Sequence, residues 1–143
     1  HSFIGVLFRN CKDALELAGL EPQIDFSAGN FPQELVSRKI HERYDIKHLV
    51  VTMSEAGFLV SSKNGVFHQT PTYARKIFDV TGAGDTFVTA LACALAAGAD
   101  IDEAAELGNL AAGVVVEKPG TATAFPEEIM THARSVIPES WQT

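Results

Sequence analysis

The chain has 143 residues, a mass of 15.4 kDa and a formal net charge of −7. With 46% hydrophobic and 20% charged residues, its composition excludes a disordered tail, and no apolar run is long enough to span a membrane. The excess of acidic residues argues against a general nucleic-acid binder, because such proteins are usually basic. A phosphate must then be bound locally, by backbone N–H groups or a metal ion. We predict one domain over residues 1–143.

The chain opens with the pattern of a strand followed by a helix. Apolar residues at 3–8 predict a buried strand. Asn10, with Asp13 three residues later, resembles a capping box and predicts a helix that ends at Gly19. We expect a loop over residues 20–30.

A helix and a hairpin are predicted next. The helix runs from about Pro32 to Tyr44, and the segment 48–52 is the most β-prone of the chain. Asn64-Gly65 separates two further β-prone runs, which predicts a hairpin whose two turn residues both take positive φ.

Three helices are predicted in the second half. Residues 85–97 are small and apolar, which predicts a helix buried on most sides. The next helix is capped by Asp100 or Asp102 and ends near Val116, and the last covers residues 126–136. The alternation of strands and helices predicts an α/β layered domain.

The cysteines and histidines indicate neither a disulfide nor a zinc site. Cys11 and Cys93 form no C-x-x-C pair, and we predict two buried, free thiols of a cytosolic protein. The five histidines are scattered, so we interpret them all as structural or surface residues.

A glycine-rich turn is the most informative segment. A short extended piece at Ile77-Phe78 leads into D-V-T-G-A-G-D at 79–85. Gly82, Ala83 and Gly84 allow the backbone to bend tightly at a helix start, where the first N–H groups lack intrahelical partners. The helix dipole adds positive potential, so this turn predicts an anion site suited to phosphate.

Asp85 has two interpretations. It is either a first-turn acid or N-cap, worth about 1 kcal/mol, or a general base beside a phosphate site. In phosphoryl transfer such a base orients an attacking hydroxyl and accepts its proton. Neither a P-loop nor G-x-G-x-x-G occurs in the sequence.

The segment D-V-T-G-A-G-D-T-F at 79–87 resembles the carboxyl-terminal signature of the ribokinase/PfkB carbohydrate kinases, D-T-x-G-A-G-D-x-F. V-T-M-S-E-A-G at 51–57 resembles the family segment V-T-x-G-x-x-G, and the resemblance extends over about residues 5–137. It implies the carboxyl-terminal, nucleotide-binding portion of a layered αβα ribokinase-like fold. Because the catalytic unit of this family is roughly twice as long as this chain, we expect a fragment.

The resemblance implies roles for individual residues. Asp85 becomes the catalytic base, and Gly82, Ala83 and Gly84 form the anion hole. The residues expected near the nucleotide are Thr52, Ser54, Glu55, Gly57, Asn109 and Gly113. A turn before the hairpin explains the 54–57 segment equally, and Asn109 is alternatively a polar residue on a helix face.

Two pairs of residues are expected near cations. Asn10 and Asp13 resemble the family's N-x-x-E, which supports Mg²⁺, although the capping box explains them fully. Asp79 and Thr81 are expected near a monovalent cation, with K⁺ as the candidate, and the alternative for Asp79 is an ordinary loop acid.

Finer features resemble one subgroup of the family. Ser54 stands where most relatives have Gly, and this segment and A-A-G-V-V-V-E-K-P-G-T-A-T at 111–123 resemble the heptose-phosphate kinase domain of ADP-heptose synthases. The implied reaction uses ATP and Mg²⁺ to convert D-glycero-β-D-manno-heptose 7-phosphate into the 1,7-bisphosphate, in the cytoplasm, for the lipopolysaccharide core.

Several alternatives stay open. The chain could belong to another kinase of the family, acting on ribose, fructose phosphate or adenosine, or be a nucleotide-binding fragment without catalysis. We expect ATP and a small sugar phosphate as partners, neither nucleic acid nor membrane, and leave open a homodimer of the full-length protein. This stretch alone should be inactive, because the sugar-binding residues would lie in the other half.

Overall fold

The structure is a computed structural model that describes residues 4–21, 30–77, 79–120 and 122–136. The chain divides into two compact units, His1–Pro71 and Thr72–Thr143. The described residues of the first unit form a four-stranded sheet with two helices, and those of the second form three helices. The mixed α/β class predicted from the sequence is confirmed.

The first unit begins with a strand, two helices and a parallel strand. These elements are β1 (Ile4–Asn10), α1 (Cys11–Leu17), α2 (Gln33–Arg43) and β2 (Ile46–Thr52). Strand β1 ends two residues later than predicted and β2 begins two residues earlier, because their parallel pairing extends from Ile4 opposite Ile46 to Asn10 opposite Thr52. Residues 22–29, in the predicted loop, lie outside the described residues.

A hairpin completes the sheet in the order β1-β2-β3-β4, with β3 at Phe58–Ser62 and β4 at Gly65–Thr70. The predicted hairpin is confirmed, but its turn lies one residue earlier. Ser62 pairs with Gly65, so Lys63 and Asn64 form the turn. Gly65 has φ 114° while Asn64 has no positive φ, so the prediction for Asn64 was wrong. Gly65 can adopt this positive φ because glycine has no Cβ.

The core of the first unit lies between the helices and one face of the sheet. Leu15 of α1 and Val36 and Ile40 of α2 pack with Leu49 and Leu59 of the strands, all at most 2% exposed. Burying a side chain of this size contributes about 1.5–3 kcal/mol. This core fixes the carboxyl ends of β1 and β2 at one edge of the sheet.

The second unit contains α3 (Ala83–Ala96), α4 (Ile101–Val116) and α5 (Pro126–Val136). Helices α3 and α4 approach closely, since a Cβ at Gly108 would lie 2.9 Å from the Phe87 carbonyl oxygen. Ile77 is in no strand, contrary to expectation, and Phe78 lies outside the described residues. In the part of the chain that is described, no helix is long and apolar enough to cross a membrane.

The predicted burial of α3 was wrong. Among its fourteen residues only Phe87, Leu91 and Ala94 are buried. These side chains share one side of the helix, and the alanines elsewhere on α3 offer little apolar area for a second contact. Helix α4 is the more deeply buried of the two, with eleven of sixteen residues buried.

Both cysteines are free, as predicted, but they are not both buried. Cys93 is exposed, because it lies two residues after Leu91 and so points to the opposite side of α3. Cys11 is half-buried, and its thiol donates to the Thr52 carbonyl oxygen at 3.3 Å. Burial raises the pKa of the Cys11 thiol to about 11.

His41 is a buried titratable residue of α2. Its Nε2 lies 3.1 Å from the Ser61 hydroxyl oxygen, and its side chain is in the core of the first unit. Burial lowers the pKa of His41, and hydrogen bonding to Ser61 and Ile46 opposes this only in part. The folded state therefore favours neutral His41.

We predict that the free energy of unfolding falls as the pH is lowered from 7.5 to 5.5. Unfolded histidine has a pKa near 6.5 and binds a proton that folded His41 resists, so its stabilising effect is complete above that pH and is lost below it. One such group changes the free energy of unfolding by at most ~1.4 kcal/mol per pH unit. Urea unfolding at both pH values measures this slope. His41→Gln should reduce it, and an unchanged slope would remove His41 as the cause.

Candidate active site

The predicted glycine turn begins α3. Gly82 is the N-cap, with φ 78° and ψ 0°, in the left-handed region that favours glycine. No side chain caps this helix start. The Ala83 N–H already donates to the Val80 carbonyl oxygen at 3.2 Å. In the first turn this leaves the N–H groups of Gly84 and Asp85, which have no carbonyl four residues earlier in the helix to bind.

Gly84 is open on the side where a side chain would be. A Cβ built at this position meets no atom within 4 Å. Glycine in a helix is destabilising by about 0.5–1 kcal/mol relative to alanine. Packing within the described residues does not explain this glycine, and the open backbone is accessible to a ligand.

Asp85 occupies the third position of α3, and its side chain is exposed. It is not the N-cap, because Gly82 has that position. The N-cap alternative is therefore wrong, and the choice between a first-turn acid and a general base remains. Its carbonyl oxygen accepts a hydrogen bond from the Thr89 hydroxyl at 2.7 Å, as in an ordinary helix turn.

Asp79 anchors the turn. Its Oδ1 accepts hydrogen bonds from the Thr81 N–H at 2.9 Å and the Thr81 hydroxyl at 2.7 Å. Its own N–H donates to the Val116 carbonyl oxygen at 3.1 Å. The Thr81 bonds, with a smaller contribution from the Gly120 N–H, lower the pKa of Asp79. The carboxylate therefore stays ionised, which suits the predicted position beside a cation.

The residues predicted near magnesium bind each other. The Asp13 N–H donates to Asn10 Oδ1 at 2.9 Å, and Asn10 Nδ2 donates to Asp13 Oδ2 at 3.1 Å. Helix capping accounts for this geometry. Asn10 also pairs with Thr52, so Asn10, Asp13 and Thr52 share one sheet edge.

The described residues contain no cluster of three or more His, Cys, Asp or Glu side chains that could hold a metal ion. Magnesium commonly binds through one or two carboxylates together with substrate phosphates. Asp13 fits that chemistry, and an all-protein site does not.

The segment predicted to lie near the nucleotide forms a short 3₁₀ turn, Ser54–Ala56, between β2 and β3. Ser54 has φ 52°, a left-handed conformation that costs a non-glycine residue roughly 1–2 kcal/mol. This explains why glycine is usual at its place in the family segment. Ser54 and Glu55 are exposed, so both are accessible to a ligand.

Gly57 and Gly113 have structural roles. Gly57 has φ 82°, and a Cβ there would lie only 1.9 Å from the Thr70 carbonyl oxygen. A Cβ at Gly113 would lie 2.9 Å from His132 Nε2, so this glycine lets α4 and α5 pack closely. These contacts explain both glycines without a nucleotide. Asn109, on the same helix as Gly113, is 4% exposed.

Within the second unit the structure thus brings together Asp79, Thr81 and the turn 82–85. Sequence analysis missed an ion pair between Lys118 and Glu128 in the same unit, at 2.7 Å. Glu128 is the third residue of α5, and it accepts a hydrogen bond from the Phe125 N–H at 2.9 Å, before the helix. An acid at the third helical position was the available signal, but Phe125, and not Ser or Thr, stands three residues before it, so the sequence shows no capping box.

We predict opposite effects for one substitution at two glycines. Gly57→Ala should destabilise the chain by more than ~2 kcal/mol, because the new Cβ meets backbone in a left-handed conformation. Gly84→Ala should stabilise it by about 0.5–1 kcal/mol, because the position is helical and open. Urea unfolding of both variants measures the difference. A large destabilisation by Gly84→Ala would mean that packing, not ligand approach, requires this glycine.

Comparison with characterised proteins places this geometry in a family. The chain is 48% identical over 93 residues to the bifunctional protein HldE of Halorhodospira halophila, a match that covers 65% of this chain and 20% of that protein. It is 42% identical over 125 residues to HldE of Geobacter sulfurreducens, covering 87% of this chain and 24% of the relative. The chain thus spans about a fifth to a quarter of the length of the curated relatives it matches.

Solved structures agree on the fold. Ribokinase from Thermotoga maritima superposes with a TM-score of 0.73 at 28% identity, over 90% of this chain and 42% of that one. Ribokinase from Arabidopsis thaliana, complexed with ribose and ATP, has the same TM-score at 22% identity, over 90% of this chain and 40% of the other. The predicted ribokinase-like fold is confirmed. The pfkB family carbohydrate kinase model matches residues 4–128, and the chain belongs to that family.

Proposed function

We propose that this chain is the nucleotide-binding part of an ATP-dependent kinase that phosphorylates a sugar phosphate. The observation that carries the proposal is the start of α3. There Gly82 bends the chain in a left-handed conformation, Gly84 is open, and the Asp85 side chain is exposed one residue later. Backbone donors and a carboxylate thus stand side by side, as phosphoryl transfer requires.

In the proposed reaction the γ-phosphoryl group of ATP passes to an acceptor hydroxyl. The N–H groups of Gly84 and Asp85, aided by the helix dipole, bind the oxygens of the transferred group. The Asp85 carboxylate orients the acceptor hydroxyl and takes its proton as the new O–P bond forms. The bond between the γ-phosphorus and its bridging oxygen breaks, and ADP leaves with that oxygen.

The remaining predicted residues serve the nucleotide and the cations in this proposal. The residues proposed to line the nucleotide are Thr52, Ser54, Glu55, Gly57, Asn109 and Gly113. Asn10 and Asp13 are proposed to support the Mg²⁺ that accompanies ATP, whose chemistry is to neutralise phosphate charge. Asp79 and Thr81 are proposed to face a monovalent cation such as K⁺, since the Asp79 carboxylate is held in its ionised form.

Heptose 7-phosphate is the proposed acceptor, with the 1,7-bisphosphate as product. Identity of 42% and 48% to HldE proteins supports this choice over ribose, fructose phosphate or adenosine. The acceptor-binding residues are proposed to lie elsewhere in the complete protein, so this stretch alone should not transfer phosphoryl groups. A cytoplasmic location is part of the same proposal.

The second candidate function is nucleotide binding without catalysis. The short span relative to the HldE proteins favours it for the isolated chain. The glycine turn followed by Asp85 argues against it for the complete protein, because a tight helix start does not require an acid there.

Asp85→Asn in the complete protein tests the proposed function. We expect the fold and ATP affinity to persist, and kcat for heptose 7-phosphate to fall by about 10²–10⁴, as for loss of a positioned base. Glu103→Gln is the matched control, because Glu103 is the exposed third residue of α4 and should leave kcat unchanged within twofold. If kcat falls less than tenfold in Asp85→Asn, Asp85 is only a first-turn acid and not the base.

Neutralising the basic residues that are nearest in sequence to the glycine turn tests whether backbone donors bind the phosphate. Arg75 pairs with Glu117 at 3.2 Å, and its side chain is 60% exposed. Arg75→Gln together with Lys76→Gln should therefore change ATP affinity by less than tenfold, equivalent to ~1.4 kcal/mol. Equilibrium titration with ATP measures this. A greater loss would show that these side chains bind the phosphates.

A further inference from the structure

An ion pair closes the connection between α4 and α5. Lys118 Nζ lies 2.7 Å from each carboxylate oxygen of Glu128 and donates to the Thr123 carbonyl oxygen at 2.8 Å. Glu128 Oε2 also accepts the Phe125 N–H at 2.9 Å. We call Lys118 and Glu128 the clasp. It ties the end of α4 to the chain just before α5.

The clasp differs from an ordinary surface pair. Lys63 and Asp45 are 3.8 Å apart with side chains 67% and 59% exposed, whereas the clasp side chains are 31% and 38% exposed. Lys118 additionally lies 5.8 Å from the centre of the Phe125 ring. The convergence of several contacts on one ammonium group restrains the connection more than a single ion pair can.

The restrained connection begins at the end of α4, which binds the residue that anchors the glycine turn. Gly120, two residues after Lys118, has φ 68°, and its N–H makes a small contribution to the lowered pKa of Asp79. The Asp79 N–H donates to Val116 at the end of α4, and its Oδ1 binds Thr81, immediately before Gly82. A shift of the connection therefore reaches the turn through Asp79.

We infer that Lys118 and Glu128 are positioning residues, which hold the α4–α5 connection against Asp79 and thereby set the place of the turn 82–85. This inference rests on the proposed function. A misplacement of about 1 Å at a reacting centre can lower a rate by 10²-fold. A small displacement of the turn on loss of the clasp would therefore be enough to lower turnover.

The test uses the complete protein with Lys118→Met, Glu128→Gln, both together, and Lys118→Arg. We expect kcat for heptose 7-phosphate to fall about 10–100-fold in each single variant, with KM for ATP changed less than threefold. The double variant should be no worse than either single one, because both remove the same contact. Lys118→Arg should restore most of kcat.

Arg75→Met is the matched control, since it breaks another ion pair of the same unit, Arg75 with Glu117 at 3.2 Å. It should leave kcat within twofold of wild type. Amide hydrogen exchange gives a readout independent of activity. Exchange at 82–85 and at Gly120 should accelerate at least tenfold in Lys118→Met and not in Arg75→Met.

The outcomes separate the two proposals. If the wild-type protein is active and Lys118→Met matches Arg75→Met in kcat and in exchange, the clasp has no positioning role and the proposed function stands. If the wild-type protein phosphorylates no sugar phosphate, the proposed function is overturned. Unchanged exchange at 82–85 in Lys118→Met then overturns the clasp as well, whereas accelerated exchange retains it as a restraint on the turn.

Discussion

The start of α3 is the constraint on which the second unit depends. A helix start has backbone N–H groups without intrahelical partners, and here no side chain caps them. Donors left open in this way are useful only if their positions are fixed. Gly82 provides the left-handed bend, and Asp79 fixes the bend through Thr81. Gly108 brings α4 into close contact with α3, so a packed helix supports the turn.

The glycines of this chain show how structural and functional requirements differ. Gly57, Gly108 and Gly113 each stand where a Cβ would overlap another atom of the protein. Gly84 stands in open space, so nothing in the described structure selects against a side chain there. Ser54 presents the reverse case, since a side chain is present in a conformation that favours glycine. Such departures from the locally favoured residue are expected at functional positions.

Local patterns made much of the fold predictable from the sequence. The box of Asn10 and Asp13 depends only on residues three apart, and the glycine turn only on backbone freedom. The position of the hairpin turn was less predictable, because the strand pairing shifts register between Val60 and Ser61, and the shifted pairs place Lys63–Asn64 in the turn instead of Asn64–Gly65. The exposure of Cys93 depends on which side of α3 packs. Lys118 and Glu128 are ten residues apart, and no local periodicity connects them.

An acid at the third helical position does not by itself distinguish capping from catalysis. Asp13, Asp85, Glu103 and Glu128 all occupy it, in four of the five α-helices found in the described part of the chain. The helix dipole stabilises a negative charge at each of them. Asp13 and Glu128 also accept hydrogen bonds from the chain at their own helix starts, so local structure accounts for an acid at each position.

At Asp85 the dipole that favours the carboxylate would equally favour a bound phosphate, and two like charges at one helix start repel each other. That repulsion weakens once the carboxylate takes a proton, which is the change a general base undergoes as the phosphoryl group is transferred. What sets Asp85 apart is therefore its setting, directly after the open backbone of Gly84, where an anion and a proton acceptor can act together.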